Sequence, residues 1–114
     1  MRPTRKEAEE FHRWYAEEHA DWDAVDNLMT LQGLHAQSFT PEMLAMFRGR
    51  FAGGHGVCPL IGSPDDVADE IERFHRAGFA GMTVSFVDYV GELGYFAQEV
   101  LPRLEAKGVR QAAP

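Results

Sequence analysis

Three kinds of side chain in this sequence could do chemistry: hydroxyls at the ends of predicted elements, histidines, and one thiol. Ser63 stands directly before Pro64, Asp65 and Asp66, where a serine oxygen can accept a hydrogen bond from the first turn of a helix. A helix N-terminus also attracts phosphate. Here Asp65 and Asp66 already place negative charge at that end, so the pattern reads as a cap ahead of an anion site. Ser85 alternates with Val84 and Phe86, so it lies on the face opposite the large apolar set, available for packing or for a ligand. The loop Gly53, Gly54, His55, Gly56 permits close backbone approach and holds a group that titrates near neutral pH. No lysine or hydroxyl follows at phosphate-loop spacing, which leaves a flexible connector. His12, His19, His35 and His75 lie on or beside predicted helices and form no HExxH pattern. Glu9 and His12 could share a metal only with ligands from other helices, and no metal is predicted. Cys58 precedes Pro59 without a local base and reads as a buried structural thiol. Trp14, Tyr15 and Trp22 could stack a ring system, but their helical spacing reads first as helix packing.

The elements that must position these groups fall into a helical part, 1–54, and a part with mixed grammar, 55–114. Thr4 and Glu7 have the spacing of a capping box, and Ala8, Phe11 and Tyr15 follow at helical intervals to about His19. Asp21 caps a second helix with Trp22, Val25, Leu28, Met29 and Leu31 as its apolar positions. Thr40 and Pro41 open a third, which carries Met43, Leu44, Phe47 and Phe51. In the second part the pattern predicts a strand at 59–62, a helix at 64–77, a strand at 81–86 and a helix at 91–107. Met82, Val84 and Phe86 alternate with Thr83 and Ser85. Leu93, Phe96, Ala97, Val100, Leu101 and Leu104 make the helical stripe that follows, and Pro102 should bend it. Strand, capped helix, glycine, strand and helix is the grammar of parallel βαβ units, so the predicted class is α/β and helix-rich.

Composition bounds the function. The 114 residues include 18 acidic and 11 basic side chains, a formal charge of −7. An acidic surplus repels phosphate backbones and anionic lipid, so neither nucleic acid nor a membrane surface is the expected partner. With 45% hydrophobic residues the chain has material for a core. One cysteine excludes an internal disulfide framework. The charged N-terminus lacks the apolar run of a secretory signal, and the expected compartment is the cytoplasm.

Several segments carry a family likeness. The run Gly56, Val57, Cys58, Pro59, Leu60, Ile61, Gly62, Ser63, Pro64, Asp65, Asp66, Val67, Ala68, Asp69, Glu70, Ile71, followed by Ala77, Gly78, Phe79, Ala80, Gly81, resembles the closing part of luciferase-like flavin-dependent monooxygenases. The stretch from Val84 to Tyr89 and the run from Phe96 to Leu104 are similar to that family's last strand and last helix. The helical first part, notably Ala20 to Leu28 with Gln32 to His35, resembles the insertion found in the alkanesulfonate and pyrimidine oxygenase-like branch. Cys58 stands where related sequences often carry an aromatic residue.

The resemblance implies the last two βα units of a TIM-barrel-type fold preceded by a helical insertion, a partial barrel. It implies oxygenation of a small organic substrate by reduced FMN and dioxygen, as an oxidoreductase. Active sites of such barrels lie beyond the C-terminal ends of the strands, which makes Ser63, Ser85 and Tyr89 the implied flavin-contacting residues. A complete barrel takes about 250 residues, so six strands would have to come from elsewhere. The chain is therefore expected to be inactive by itself. The alternative is a non-catalytic module that pairs its strand edges in a homo-oligomer.

Overall fold

A computed structural model of the chain describes residues 1–111. The chain divides into two compact units, one formed by Met1–Glu9 with the chain from Leu60 onward, the other by Glu10–Pro59. Helix α1, Arg5–Arg13, runs from the first into the second and continues as a π-helical turn, Trp14–Glu18. The remaining helices are α2, Trp22–Leu31, α3, Pro41–Gly54, α4, Pro64–Arg76, α5, Tyr89–Glu99, and α6, Leu101–Ala106.

Each helix start has a local chemical cause. Thr4 and Glu7 cap α1 reciprocally, Glu7 accepting from the Thr4 N–H at 2.9 Å and donating its own N–H to Thr4 Oγ1 at 3.2 Å. Asp21 accepts from the Ala24 N–H at 3.0 Å and Thr40 from the Met43 N–H at 3.3 Å. Ser63 and Asp66 form a second capping box, closed by bonds of 3.3 and 2.8 Å.

In the unit of Glu10–Pro59, the π turn and α2 both lie against α3. The approach to the π turn is tight at Gly53, where a β-carbon would sit 3.1 Å from His12 Nε2 and 3.5 Å from Ala16 Cβ. Val25 and Met29 of α2 are buried. Arg48 on α3 binds both carboxylate oxygens of Asp26, at 2.6 and 3.0 Å, while its guanidinium carbon lies 4.2 Å from the Trp22 ring centre. The bidentate bond and the ring face together fix the α2–α3 pairing.

In the other unit the core consists of Val67, Ala68 and Ile71 of α4, Phe96 of α5, Val100 at the α5–α6 junction and Leu104 of α6. A line of ion pairs flanks it: Lys107 reaches Glu72 at 2.7 Å and Asp69 at 2.8 Å, and Arg103 reaches Asp65 at 2.6 Å.

The predicted α/β class is corrected by this architecture. Among the described residues there is no β-strand, so neither the strand at 59–62 nor that at 81–86 exists, and with them go the sheet and the partial TIM barrel. A ladder needs a second backbone paired along the segment at about 4.8 Å; 59–62 has a single such bond, from the Arg2 N–H to the Gly62 carbonyl at 3.2 Å, and 81–86 has none among the described residues. The single long helix at 91–107 is two helices meeting at Val100, whose carbonyl accepts from Leu104 and whose N–H donates to Phe96.

Candidate functional site

The feature that stands apart from the helices is the stretch Ala80–Val87. Val84 and Phe86 turn toward the core helices and pack against them. Phe86 meets Phe96 with ring centres 5.5 Å apart and Tyr89 at 5.5 Å. Thr83 and Ser85 are exposed on the other face. Among the described residues no backbone group from Ala80 to Phe86 bonds to another backbone group. A half-buried, alternating segment with an unpaired backbone is an open edge.

Apolar surface surrounds it. Met82 is 44% exposed, Val87 56%, Leu93 52% and Val90 96%. Met82 and Leu93 were expected to face inward from periodicity alone. Neither packs against the core cluster, whereas Val84 and Phe86 do. Cys58 also corrects its expectation, since it is exposed rather than buried.

The C-terminal end of the open segment is fixed by Glu92. One carboxylate oxygen accepts from Arg2 Nη1 at 2.6 Å; the other accepts from the N–H groups of Val87 at 3.1 Å and Asp88 at 3.2 Å. Burial by itself would raise this carboxyl, but Arg2 and the Asp88 backbone outweigh it and hold the group below the usual glutamate range. The Arg2 N–H in turn donates to the Gly62 carbonyl at 3.2 Å. Sequence reasoning missed this node. Its signal was present: an acid four residues after the N-cap Asp88, in reach of the backbone where the chain turns into α5.

The residues implied as flavin contacts have different local surroundings. Ser63 is committed to its capping box, its Oγ within 2.8 Å of Asp66 Oδ2. The Asp66 carboxyl is held below the usual aspartate range, first by the Ser63 backbone, then by the Ser63 hydroxyl and by Arg5. A phosphate at Ser63 would have to displace that carboxylate and face Asp65 beside it, so this end of α4 does not fit the FMN phosphate. Ser85 is exposed on the open segment, and Tyr89 is exposed at the start of α5 with its ring against Phe86. No hydrogen bond or ring contact joins Ser63 to either among the described residues.

The histidines and large rings serve the helices. Trp14 lies 6.0 Å from Phe11 and 4.7 Å from His19, ring centre to ring centre. The Trp14 carbonyl, left over at the π turn, is met by both the backbone N–H and Nδ1 of His19, each at 3.0 Å. His55 ends α3 in the left-handed conformation, φ 57°, with Nε2 3.4 Å from Gln32 Nε2. No group of three or more potential metal ligands gathers among the described residues. No helix among them is long and apolar enough to cross a membrane.

Compared with known proteins, the chain matches no family model, no curated sequence and no solved structure.

Proposed function

We propose that this chain is an assembly module of a luciferase-like flavin-dependent monooxygenase, whose work is to dock extended polypeptide and not to oxygenate substrate by itself. One observation carries the docking role: Ala80–Phe86 is extended, seated on the helices through Val84 and Phe86, and unpaired along its backbone. An exposed row of N–H and C=O groups bordered by apolar side chains is a template for strand addition. The likeness of residues 56–104 to the closing part of those enzymes supports the assignment to flavin chemistry. Ser63, engaged by Asp66, argues that FMN is held chiefly by the polypeptide that completes the assembly. Binding, orientation and exclusion of water would then depend on that polypeptide.

The test has two arms. Anaerobic calorimetric titration of the chain with reduced FMN should give no saturable heat, and micromolar binding would refute the division of labour. Co-expression with the front portion of a luciferase-like monooxygenase should give a co-purifying complex that binds reduced FMN. Failure to associate would refute the assignment to that family.

A further inference from the structure

We propose that residues 1–5 are a displaceable strap that holds the C-terminal end of the open segment in place through Glu92, so that release of the strap and freeing of that end are one event. The strap stands on its own contacts; its consequence for docking rests on the reading of residues 80–86 as an open edge.

The strap is fastened more by side chains than by backbone. Its backbone bond to the rest of the unit runs from the Arg2 N–H to the Gly62 carbonyl at 3.2 Å. Pro3 has no N–H, and the Thr4 N–H is taken by Glu7 at 2.9 Å, so the strap donates no second rung. Two arginines supply the remaining grip. Arg2 Nη1 binds Glu92 Oε1 at 2.6 Å and the Met1 carbonyl at 2.7 Å, which ties the guanidinium to its own strap. Arg5, in the first turn of α1, pairs with Asp66 Oδ1 and leaves Oδ2 to the Ser63 cap. Met1 is partly buried and packs on the same core cluster as Val84 and Phe86. Charge is matched as well. Residues 1–6 carry Arg2, Arg5 and Lys6 without an acid, in a chain of net charge −7, and the seat presents Glu92 and Asp66.

Glu92 is where the strap and the open segment meet. Its Oε1 holds Arg2, while Oε2 holds the N–H groups of Val87 and Asp88. With only 14% of its side chain exposed, this carboxylate needs the arginine opposite it. When the strap leaves, the charge is better served by water, and turning outward it lets go of both N–H groups. Release also bares the part of the core cluster that Met1 covers, adding apolar surface to that under Val84 and Phe86. The coupling is reciprocal: a polypeptide that docks on residues 80–86 and draws Val87 away from Glu92 loosens the strap by the same factor.

Arg5 tests whether the strap acts as a unit, because its partner is Asp66 and not Glu92. Amide exchange at Val87 and Asp88 is followed in the wild type, Arg2→Ala, Arg5→Ala and the double variant, with circular dichroism to check folding. Arg2→Ala should speed both amides about tenfold, the order expected for loss of a hydrogen bond to a charged group. Arg5→Ala should speed them about threefold, the scale of an exposed ion pair. It should add nothing in the Arg2→Ala background, where the strap no longer reaches Glu92. Unchanged exchange at Val87 and Asp88 in Arg5→Ala would overturn the strap, and this result decides by itself if Arg2→Ala does not fold. Equal speeding by Arg5→Ala in both backgrounds would overturn it too, since the two arginines would then act independently. The docking edge is read at other amides. Slow exchange at Met82, Val84 and Phe86 in the wild-type monomer would overturn that edge, while the Arg5→Ala response would still support the strap.

Discussion

Replacing Glu92 by alanine removes three bonds at once and should be the most informative single change in the molecule. Arg2 loses its partner at 2.6 Å, and the N–H groups of Val87 and Asp88 lose their acceptor. The pair is largely shielded, with Arg2 30% and Glu92 14% exposed at the side chain. Hydrogen bonds to a charged group contribute roughly 1.5–3 kcal/mol each when buried. Water can reach the freed N–H groups here, so we take a total near the value of one such bond, about 2 kcal/mol. With a urea slope of about 2 kcal/mol per molar for a small domain, the unfolding midpoint should fall by about 1 M. Amide exchange adds a local reading: Val87 and Asp88 should be protected in the wild type and lose that protection in Glu92→Ala. A midpoint shift below about 0.2 M with unchanged exchange at both amides would refute the node. The pH dependence has a definite sign. Glu92 titrates below its ordinary value of 4.5 when folded, so its contribution is present above the unfolded value and is lost as pH falls through the folded one. The gap between the wild type and Glu92→Gln should therefore be full at neutral pH and shrink as the solution is acidified below about pH 4.5.

Other expectations follow from the same geometry. Ser63→Ala removes the acceptor for the Asp66 N–H and should destabilise by about 1 kcal/mol in urea melts. Gly62→Ala should be worse than Ser63→Ala, because the new β-carbon would lie 2.5 Å from Asp66 Cβ and force the capping box apart. Val100→Ala, at a side chain with no exposure, should lose about 2 kcal/mol of unfolding free energy. His55→Gly relieves a left-handed residue worth about 1 kcal/mol and gives up the 3.4 Å contact to Gln32 and the ring contact with Phe51 at 5.3 Å; the backbone relief should prevail and raise the melting temperature.

What the sequence made legible was chemistry that closes within a few residues. Thr4 with Glu7, Asp21, Thr40 with Pro41, and Ser63 with Pro64 each satisfy orphan N–H groups in the next turn, so their meaning does not depend on distant chain. The alternation from Met82 to Phe86 was legible as extended backbone, and Val84 and Phe86 do face the helices. A strand also needs a neighbour, and alternation carries no information about whether one is present. That is why the α/β expectation failed. Met82, Leu93 and Cys58 failed for a related reason: an apolar pattern specifies a face, while the tertiary neighbours decide how far that face is covered. The π turn at Trp14–Glu18 inserts an extra residue into the ladder, a shift that spacing rules based on 3.6 residues do not register. The Arg2–Glu92 bond joins residues ninety apart and lay beyond any local pattern.

The central claim is that Ala80–Phe86 offers an open backbone edge. Amide hydrogen exchange, followed residue by residue at concentrations where sedimentation shows a monomer, tests it most directly. The account predicts that Met82, Val84 and Phe86 exchange near the rate of unstructured peptide in the monomer. Strong protection of those three amides in the monomer would mean that the chain already satisfies its own edge, and would contradict the account.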